Sequence, residues 1–590
     1  MFSVLRKLSW FFKQHWKRYT IAIFLLFIVS FLEVMPPRLL GVFIDEVHQG
    51  RLTTERLQFF IGIFLVLMVV IYLITFTWMR QLFGGAYIIE RTLRSKYMSH
   101  LMKMTPTFFE KNKTGDLMAK ATNDVKAIYF TAGFGVLTLV DSTIFLFIIL
   151  IMMTVLVSWK LTLAAFLPLP IMAWIMKRYG SIIHERFMKA QAAFGDMNDQ
   201  VLESIAGVRV IRAFVKEKDD EKRFETMTDD VLNKNISVAK IDSLFEPTIK
   251  LFVGMSYMIG LGFGAYLVFQ NEITLGQLVS FNIYLGMLIW PMLAFGELMN
   301  VMQRGNASMD RLNKTFSYKP DVEDGSALQT VNVPEAVDFK QLTFRYPSSE
   351  DAALSNIDFS IPQGATLGVV GKTGSGKTTL FKQLLRQYPL EEKQLFISGV
   401  PIEAIPLAQL KSWIGYVPQD QFLFSQTIRE NILFGKPDAE EYDLYRVMDI
   451  ASITADIETF ANGIETLVGE KGVSLSGGQK QRISIARALI KNPEILLLDD
   501  ALSAVDAKTE AFIVKNIREE RKGKTTWIAA HRMSAVRHAD IILVLDNGQI
   551  VERGTHEELM RQNGWYCEQY TKQQMDADEQ ENAVKEVSRP

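Results

Sequence analysis

Six apolar stretches crowd the first 300 or so residues, and no run of comparable length follows them. They cover residues 21–44, 59–78, 136–157, 161–176, 249–269 and 278–298. A helix needs about 20 apolar residues to cross the hydrocarbon of a bilayer, so six spans are predicted. The first is interrupted by Glu33 and by Pro36-Pro37, and the third contains Asp141. The fourth is short and carries Pro168 and Pro170, and the sixth holds Pro291. Connections near 45–58, 158–161 and 270–277 are short, whereas those near 80–134 and 178–248 are long and rich in lysine and arginine. The positive-inside rule places the long connections and both termini in the cytoplasm, in a multi-pass protein of the cell membrane. Within them, Val201, Ile205 and Val208 keep helical spacing, so the connections read as extensions of the spans. The stretches 108–116 and 203–214 occupy corresponding places and read as tips of those extensions, suited to dock on a cytoplasmic domain.

Residues 1–18 mix Trp10, Phe11, Phe12 and Trp16 with Arg6, Lys7, Lys13, Lys17 and Arg18. This pattern suggests an interfacial elbow helix against membrane lipids. No small-residue cleavage site follows, so the first apolar segment reads as retained. The 590 residues are too many for one core. A composition of 49 % hydrophobic and 22 % charged residues is the average of a greasy half and an ordinary half. The net charge of −1 argues against a nucleic-acid partner. Cys567 is the one cysteine, which excludes an internal disulfide and a cysteine metal cluster. The organisation predicted is a membrane domain over 19–315, a linker over 316–335 marked by Pro320, Asp321, Gly325 and Pro334, a soluble domain over 336–578, and a polar tail over 579–590.

The soluble half opens with Gly371-Lys372-Thr373-Gly374-Ser375-Gly376-Lys377-Thr378, which fits the phosphate-loop pattern G-x-x-x-x-G-K-[ST]. An apolar run, 367–370, precedes it as a strand, and 380–385 follows as a helix. The glycines let backbone N–H groups turn inward around phosphate oxygens, and the helix N-terminus adds partial positive charge. Lys377 would neutralise the β- and γ-phosphates of ATP, and Thr378 would offer its hydroxyl to Mg2+, with Thr379 beside it. Farther on, Ile495-Leu496-Leu497-Leu498-Asp499 reads as a buried strand ending in a carboxylate suited to the same ion.

Leu475-Ser476-Gly477-Gly478-Gln479, continued by Lys480-Gln481-Arg482, resembles the signature of ATP-binding cassette (ABC) proteins. Around it fall Tyr416-Val417-Pro418-Gln419, similar to the Q-loop; Thr466-Leu467-Val468-Gly469-Glu470, similar to the X-loop; Ser503-Ala504-Val505-Asp506, similar to the D-loop; and His531, at the place of the switch histidine. Tyr346 stands where the family stacks an aromatic ring on adenine. The resemblance covers essentially the whole chain and is to half-transporters of the type IV ABC exporters, in particular to halves of bacterial heterodimeric multidrug exporters. It implies a six-span α-helical transmembrane domain followed by an α/β P-loop nucleotide-binding domain, with ATP and Mg2+ as cofactors.

The resemblance also implies roles. Leu475, Ser476, Gly477, Gly478 and Gln479 would contact ATP held by a partner chain. Gln419 would reach Mg2+ and the docking tips, and His531 would hydrogen-bond the γ-phosphate. The catalytic residue after the Walker strand is usually glutamate, whereas here it is Asp500. One methylene fewer retracts the carboxylate by about 1 Å, a misplacement that can cost on the order of 10²-fold in rate. An intact signature beside a shortened acid predicts a non-identical partner half-transporter that carries the glutamate. The expected cargo is amphipathic drugs. Lipid or peptide export, import, and a mainly ATP-binding regulatory subunit are the competing readings. Glu33, near the middle of the first span, is expected to line the transport cavity and favour cationic compounds, with Asp141 as a second candidate. The alternative is that Glu33 pairs with Arg38 or is carried protonated.

Overall fold

The computed structural model describes residues 3–325, 328–469 and 475–575, so Glu470 of the X-loop and the tail over 579–590 lie outside the described residues. Two compact units emerge. The first runs to Tyr318 but omits Lys103–Lys113, which packs with the second unit, from Lys319 onward. The helix that ends the last span runs to Phe316, and the tip at Pro106–Lys111 is hydrogen-bonded to Tyr388 through Glu110.

Among the described residues the first unit holds six helices long and apolar enough to cross a membrane: Trp16–His48, Thr54–Leu101, Thr114–Leu156, Trp159–Ala206, Glu217–Phe269 and Leu275–Phe316. Several are broken where proline removes a backbone donor, the fourth at Leu167 just before Pro168 among them. The first span splits at Val34 into Trp16–Glu33 and Met35–His48, with Pro36 and Pro37 in the first turn of the second half. The sixth splits at Leu288 into Leu275–Met287 and Ile289–Phe316, because Pro291 cannot donate to the carbonyl of Met287. Short π-helical turns interrupt the third span at Lys120–Asp124 and Asp141–Phe145.

The second half of span one and the first half of span six are zipped together. Ser280 Oγ donates to Pro37 O at 2.7 Å and Tyr284 Oη to Val34 O at 2.9 Å. Asp45 accepts from Thr274 Oγ1 at 2.6 Å and from Gly276 N at 2.7 Å, which caps the sixth span. At the other end, the helices Ser3–Lys7 and Ser9–Gln14 precede the first span, which begins at Trp16. Val4, Leu8 and Phe11 are buried in the unit's own core, while Trp10 and Trp16 stay exposed.

The second unit is built on a six-stranded sheet of order β10-β9-β3-β8-β7-β6. Its strands are β3 (Thr366–Gly371), β6 (Ile414–Val417), β7 (Ile495–Asp499), β8 (Thr525–Ala529), β9 (Ile541–Asp546) and β10 (Gln549–Gly554). All neighbours are parallel except β9 and β10. A second, antiparallel sheet of order β2-β1-β4-β5 uses β1 (Ala336–Arg345), β2 (Ala352–Pro362), β4 (Leu395–Ile397) and β5 (Val400–Pro401). Alternation at period two splits the central strands between two cores. Leu367, Val369, Leu497 and Trp527 face Phe339, Phe359 and Phe381, whereas Val370, Leu496, Leu498 and Ile528 face Ile432, Val447 and Ile483.

Candidate functional site

Loops at the carboxyl ends of parallel strands flank the crevice where open α/β sheets bind ligands. β3 and β7 both end there, and β8 lies between them. After β3 the chain turns through Gly371, Gly374 and Gly376, whose φ angles are +149°, +82° and +106°. A Cβ at Gly371 would lie 2.2 Å from Leu545 O, and one at Gly376 2.9 Å from Leu354 Cδ2. The loop is therefore a backbone cradle that only glycine closes, leading into the helix Lys377–Leu384. Thr373 and Gly374 are exposed on it. Ser375 Oγ is buried there without a hydrogen-bond partner. Leaving such a group unpaired costs about 1–3 kcal/mol, which an entering phosphate oxygen would relieve. The cradle and the orphan hydroxyl fit a bound nucleotide phosphate.

The Lys377 ammonium donates to Gly371 O at 2.8 Å and Lys372 O at 3.0 Å. Burial pulls its pKa down, and the nearby Asp500 and Asp499 carboxylates oppose that shift. Asp499, 1 % exposed, ends β7. It accepts from Thr378 Oγ1 at 3.0 Å and from Tyr416 Oη at 3.3 Å. Burial raises the carboxyl's pKa, and those two hydrogen bonds hold it down. Burial and the Asp499 charge push the Tyr416 hydroxyl well above the usual phenol range, so it remains a donor. The oxygen-only pair Thr378 and Asp499 fits Mg2+, which takes few protein ligands and relies on water and substrate phosphates for the rest. Residue order places Tyr416 only within the Q-loop motif. Its contact with Asp499 follows from the parallel pairing of β6 with β7, in which Tyr416 lies opposite Leu497.

Asp500 follows with φ +49°, and its N–H donates to Ala529 O at 2.9 Å. Its side chain and His531 line one cavity of about 110 Å³. Gln481, 2 % exposed, ties this segment to the signature: its Oε1 accepts from Ala504 N at 2.9 Å and its Nε2 donates to Ser503 Oγ at 3.1 Å. Residue order marks Gln481 only as a continuation of the signature; the tie to the D-loop comes from the tertiary fold. The signature helix Gly477–Leu489 is capped by Ser476 in a reciprocal box with Gln479. Ser476 Oγ accepts from Gln479 N at 3.3 Å and keeps its own O–H to donate. A Cβ at Gly478 would meet Ala504 O at 2.9 Å, so the glycine lets the helix start press on the D-loop. Leu475 is buried beneath it, and Gln479 Nε2 donates to Asp456 at 3.0 Å.

Tyr346 is half-buried, edge-on to Phe344 and Tyr388 with ring centres 5.0 Å away in both cases. Its hydroxyl lies 2.9 Å from Thr379 Oγ1. Gln419 is exposed, and its carbonyl accepts from Gln421 Nε2 at 2.6 Å; the structure does not draw it into the Thr378–Asp499 pair. In the first unit, Glu33 is the last residue before the Val34 break. Asp141 opens a π-helical turn and accepts from Trp290 Nε1 at 2.9 Å. Among the described residues Glu33 forms no ion pair with Arg38, which instead lines a pocket with Asp45, Glu46 and Arg56.

The comparisons follow this division of the chain. Residues 19–292 match the ABC transporter transmembrane region, and residues 354–503 match the ABC transporter cassette. The chain belongs to the ABC transporter family. A probable multidrug resistance ABC transporter ATP-binding/permease protein, YheI of Bacillus subtilis, is 60 % identical over 98 % of both chains. The multidrug resistance-like ATP-binding protein MdlA of Escherichia coli is 43 % identical over 97 % of both. An ATP-dependent lipid A-core flippase of Pseudomonas fluorescens is 33 % identical over 80 % of this chain and 79 % of its own. A bacterial Atm1-family ABC exporter with ATP bound superposes with a TM-score of 0.76 at 25 % identity, covering 94 % of this chain and 98 % of the other. The protein is an ABC exporter, a membrane protein that binds ATP and couples its hydrolysis to transport.

Proposed function

We propose that this exporter drives amphipathic drugs out across the cell membrane as one half of a heterodimer whose two ATP sites are unequal. The names of the two multidrug resistance relatives support the drug cargo. Asp500, in the place of the usual glutamate, carries the asymmetry. In this reading Tyr346 stacks on adenine, the cradle from Gly371 to Gly376 holds the phosphates, and Lys377 neutralises them. Thr378 and Asp499, with Gln419 approaching from the Q-loop, would hold Mg2+, which supplies charge neutralisation at the phosphates. His531 donates to the γ-phosphate. Asp500 orients the attacking water but stands back from it, so this chain's own site turns over slowly. Ser476, Gly477 and Gly478 present a hydroxyl and a helix N-terminus to ATP on the partner, which supplies the working glutamate. Both termini and the cassette lie in the cytoplasm. Lipid export is the second reading, supported by the flippase relative.

The test is ATPase and dye transport in vesicles holding this chain alone, then with a candidate partner half-transporter. Transport of several cationic and neutral dyes, only with the partner, is expected. Robust drug-stimulated turnover by this chain alone would replace the heterodimer with a homodimer, and transport of labelled lipid without dye would favour the second reading.

A further inference from the structure

The last described helix, residues 565–575, is fastened to the second unit along one face. Glu552 on β10 accepts from the N–H groups of Trp565 and Tyr566, the latter at 3.2 Å, and so caps the helix start. Tyr566 is fully buried, its hydroxyl 2.9 Å from His556 Nδ1. Tyr570 packs beside it, one turn on, with the two rings nearly parallel. Tyr566, Tyr570 and Gln573 follow the i, i+4, i+7 spacing of a single helix face. The face that anchors the helix therefore also carries Gln573, about 10 Å farther along at 1.5 Å per residue.

Gln573 meets the switch loop there with both ends of its carboxamide. Nε2 donates to the carbonyl of His531 at 2.9 Å, and Oε1 accepts from the N–H of Met533 at 2.9 Å. The two bonds bracket Arg532 and fix the backbone on which the His531 side chain is mounted. The same loop is gripped from the other side. Glu510, 2 % exposed, accepts from Arg532 Nη1 at 2.8 Å and from Ser534 Oγ at 2.8 Å, while Arg532 also donates to Val505 O of the D-loop at 2.8 Å. The loop is thus held by side-chain bonds on both sides. A histidine that must meet one phosphate oxygen gains from such fixing, because about 1 Å of misplacement can cost on the order of 10²-fold in rate.

We propose that Gln573 is a positioning residue for nucleotide hydrolysis, through which the C-terminal helix holds the His531 loop in register with the γ-phosphate. The proposal rests on the assignment of His531 to that phosphate made above. It makes the C-terminal helix part of the ATPase machinery, although it lies beyond the matched cassette and carries no motif. It is tested with the full chain assembled in lipid nanodiscs with a partner half-transporter whose own catalytic glutamate is replaced, by single-turnover cleavage of radiolabelled ATP with protein in excess, alongside ATP affinity. Gln573→Ala should slow cleavage by on the order of tenfold and leave ATP affinity within about twofold. Gln573→Glu keeps the acceptor for Met533 and loses the donor for His531, so it should fall between, and it carries the same comparison should Gln573→Ala fail to fold. In a His531→Ala background the Gln573 substitution should have no further effect. An unchanged rate in Gln573→Ala beside a slowed His531→Ala overturns the clamp alone. An unchanged rate in His531→Ala overturns the His531 assignment and the clamp with it. An equal additional loss in the His531→Ala background shows that Gln573 acts on folding and overturns the proposal.

Discussion

Tyr388 donates its hydroxyl hydrogen to the Glu110 carboxylate, joining residues 278 positions apart. Glu110 lies on the tip helix Pro106–Lys111, and Tyr388 is buried with its ring edge-on to Tyr346, the expected adenine platform. Burial and the Glu110 charge raise the Tyr388 hydroxyl well above the usual phenol range, so it stays a donor. The tip therefore touches, at one remove, the residue that would feel the nucleotide. Tyr388→Phe removes a hydrogen bond to a charged group, worth about 1.5–3 kcal/mol, without opening a cavity. ATP affinity should stay within about twofold while substrate stimulation of ATPase falls. An unchanged ratio of stimulated to basal turnover would leave this contact structural only.

Lys377→Ala should weaken ATP binding at this chain's own site by at least about tenfold, since the cation that faces the phosphates is lost. Fluorescent nucleotide titration reads the effect. The folded cassette should persist, because Lys377 bonds only loop carbonyls.

Asp500→Asn should lower ATPase of the assembled complex only modestly, whereas removing the partner's glutamate should nearly abolish it. A collapse of turnover on Asp500→Asn would show that the shorter acid is the working base.

Gly276→Ala should be poorly tolerated. The added Cβ would lie 1.9 Å from Gly41 O, between two helices that also share the Asp45 cap. Overpacking of this kind typically costs about 1–3 kcal/mol, and the loss should appear as a lowered thermal midpoint in detergent. Gly62→Ala, at a position open on all sides, is the matched control.

Glu33→Gln should reduce transport of cationic dyes relative to neutral ones if the carboxylate faces the cargo. Among the described residues Glu33 forms no ion pair with Arg38, so its carboxyl group at the Val34 break is free to take that role. An unchanged ratio of cationic to neutral transport would remove Glu33 from the cavity.

The number of spans, the phosphate loop, the Walker strand and the signature were legible from residue order because each depends on local rules: hydropathy over a bilayer's length, glycine at positive φ, an apolar run closed by a carboxylate. Proline placed the break of the first span the same way. What residue order left open was every contact made across distance. Tyr416 reaches Asp499 only because β6 pairs in parallel with β7, and Gln481 reaches the D-loop only because Gly478 lets the signature helix close on Ala504. The tip at Pro106–Lys111 joins the second unit through Glu110, a residue whose charge reads like any other on a helix surface. Gln573 sits in a polar C-terminal run with no motif, and its two bonds to the switch loop arise from the buried face of Tyr566 and Tyr570. Local sequence sets which groups can bind phosphate, because backbone conformation follows from neighbouring residues. The tertiary structure decides which side chains hold those groups still, because a hydrogen bond between distant segments depends on how the helices and strands between them pack.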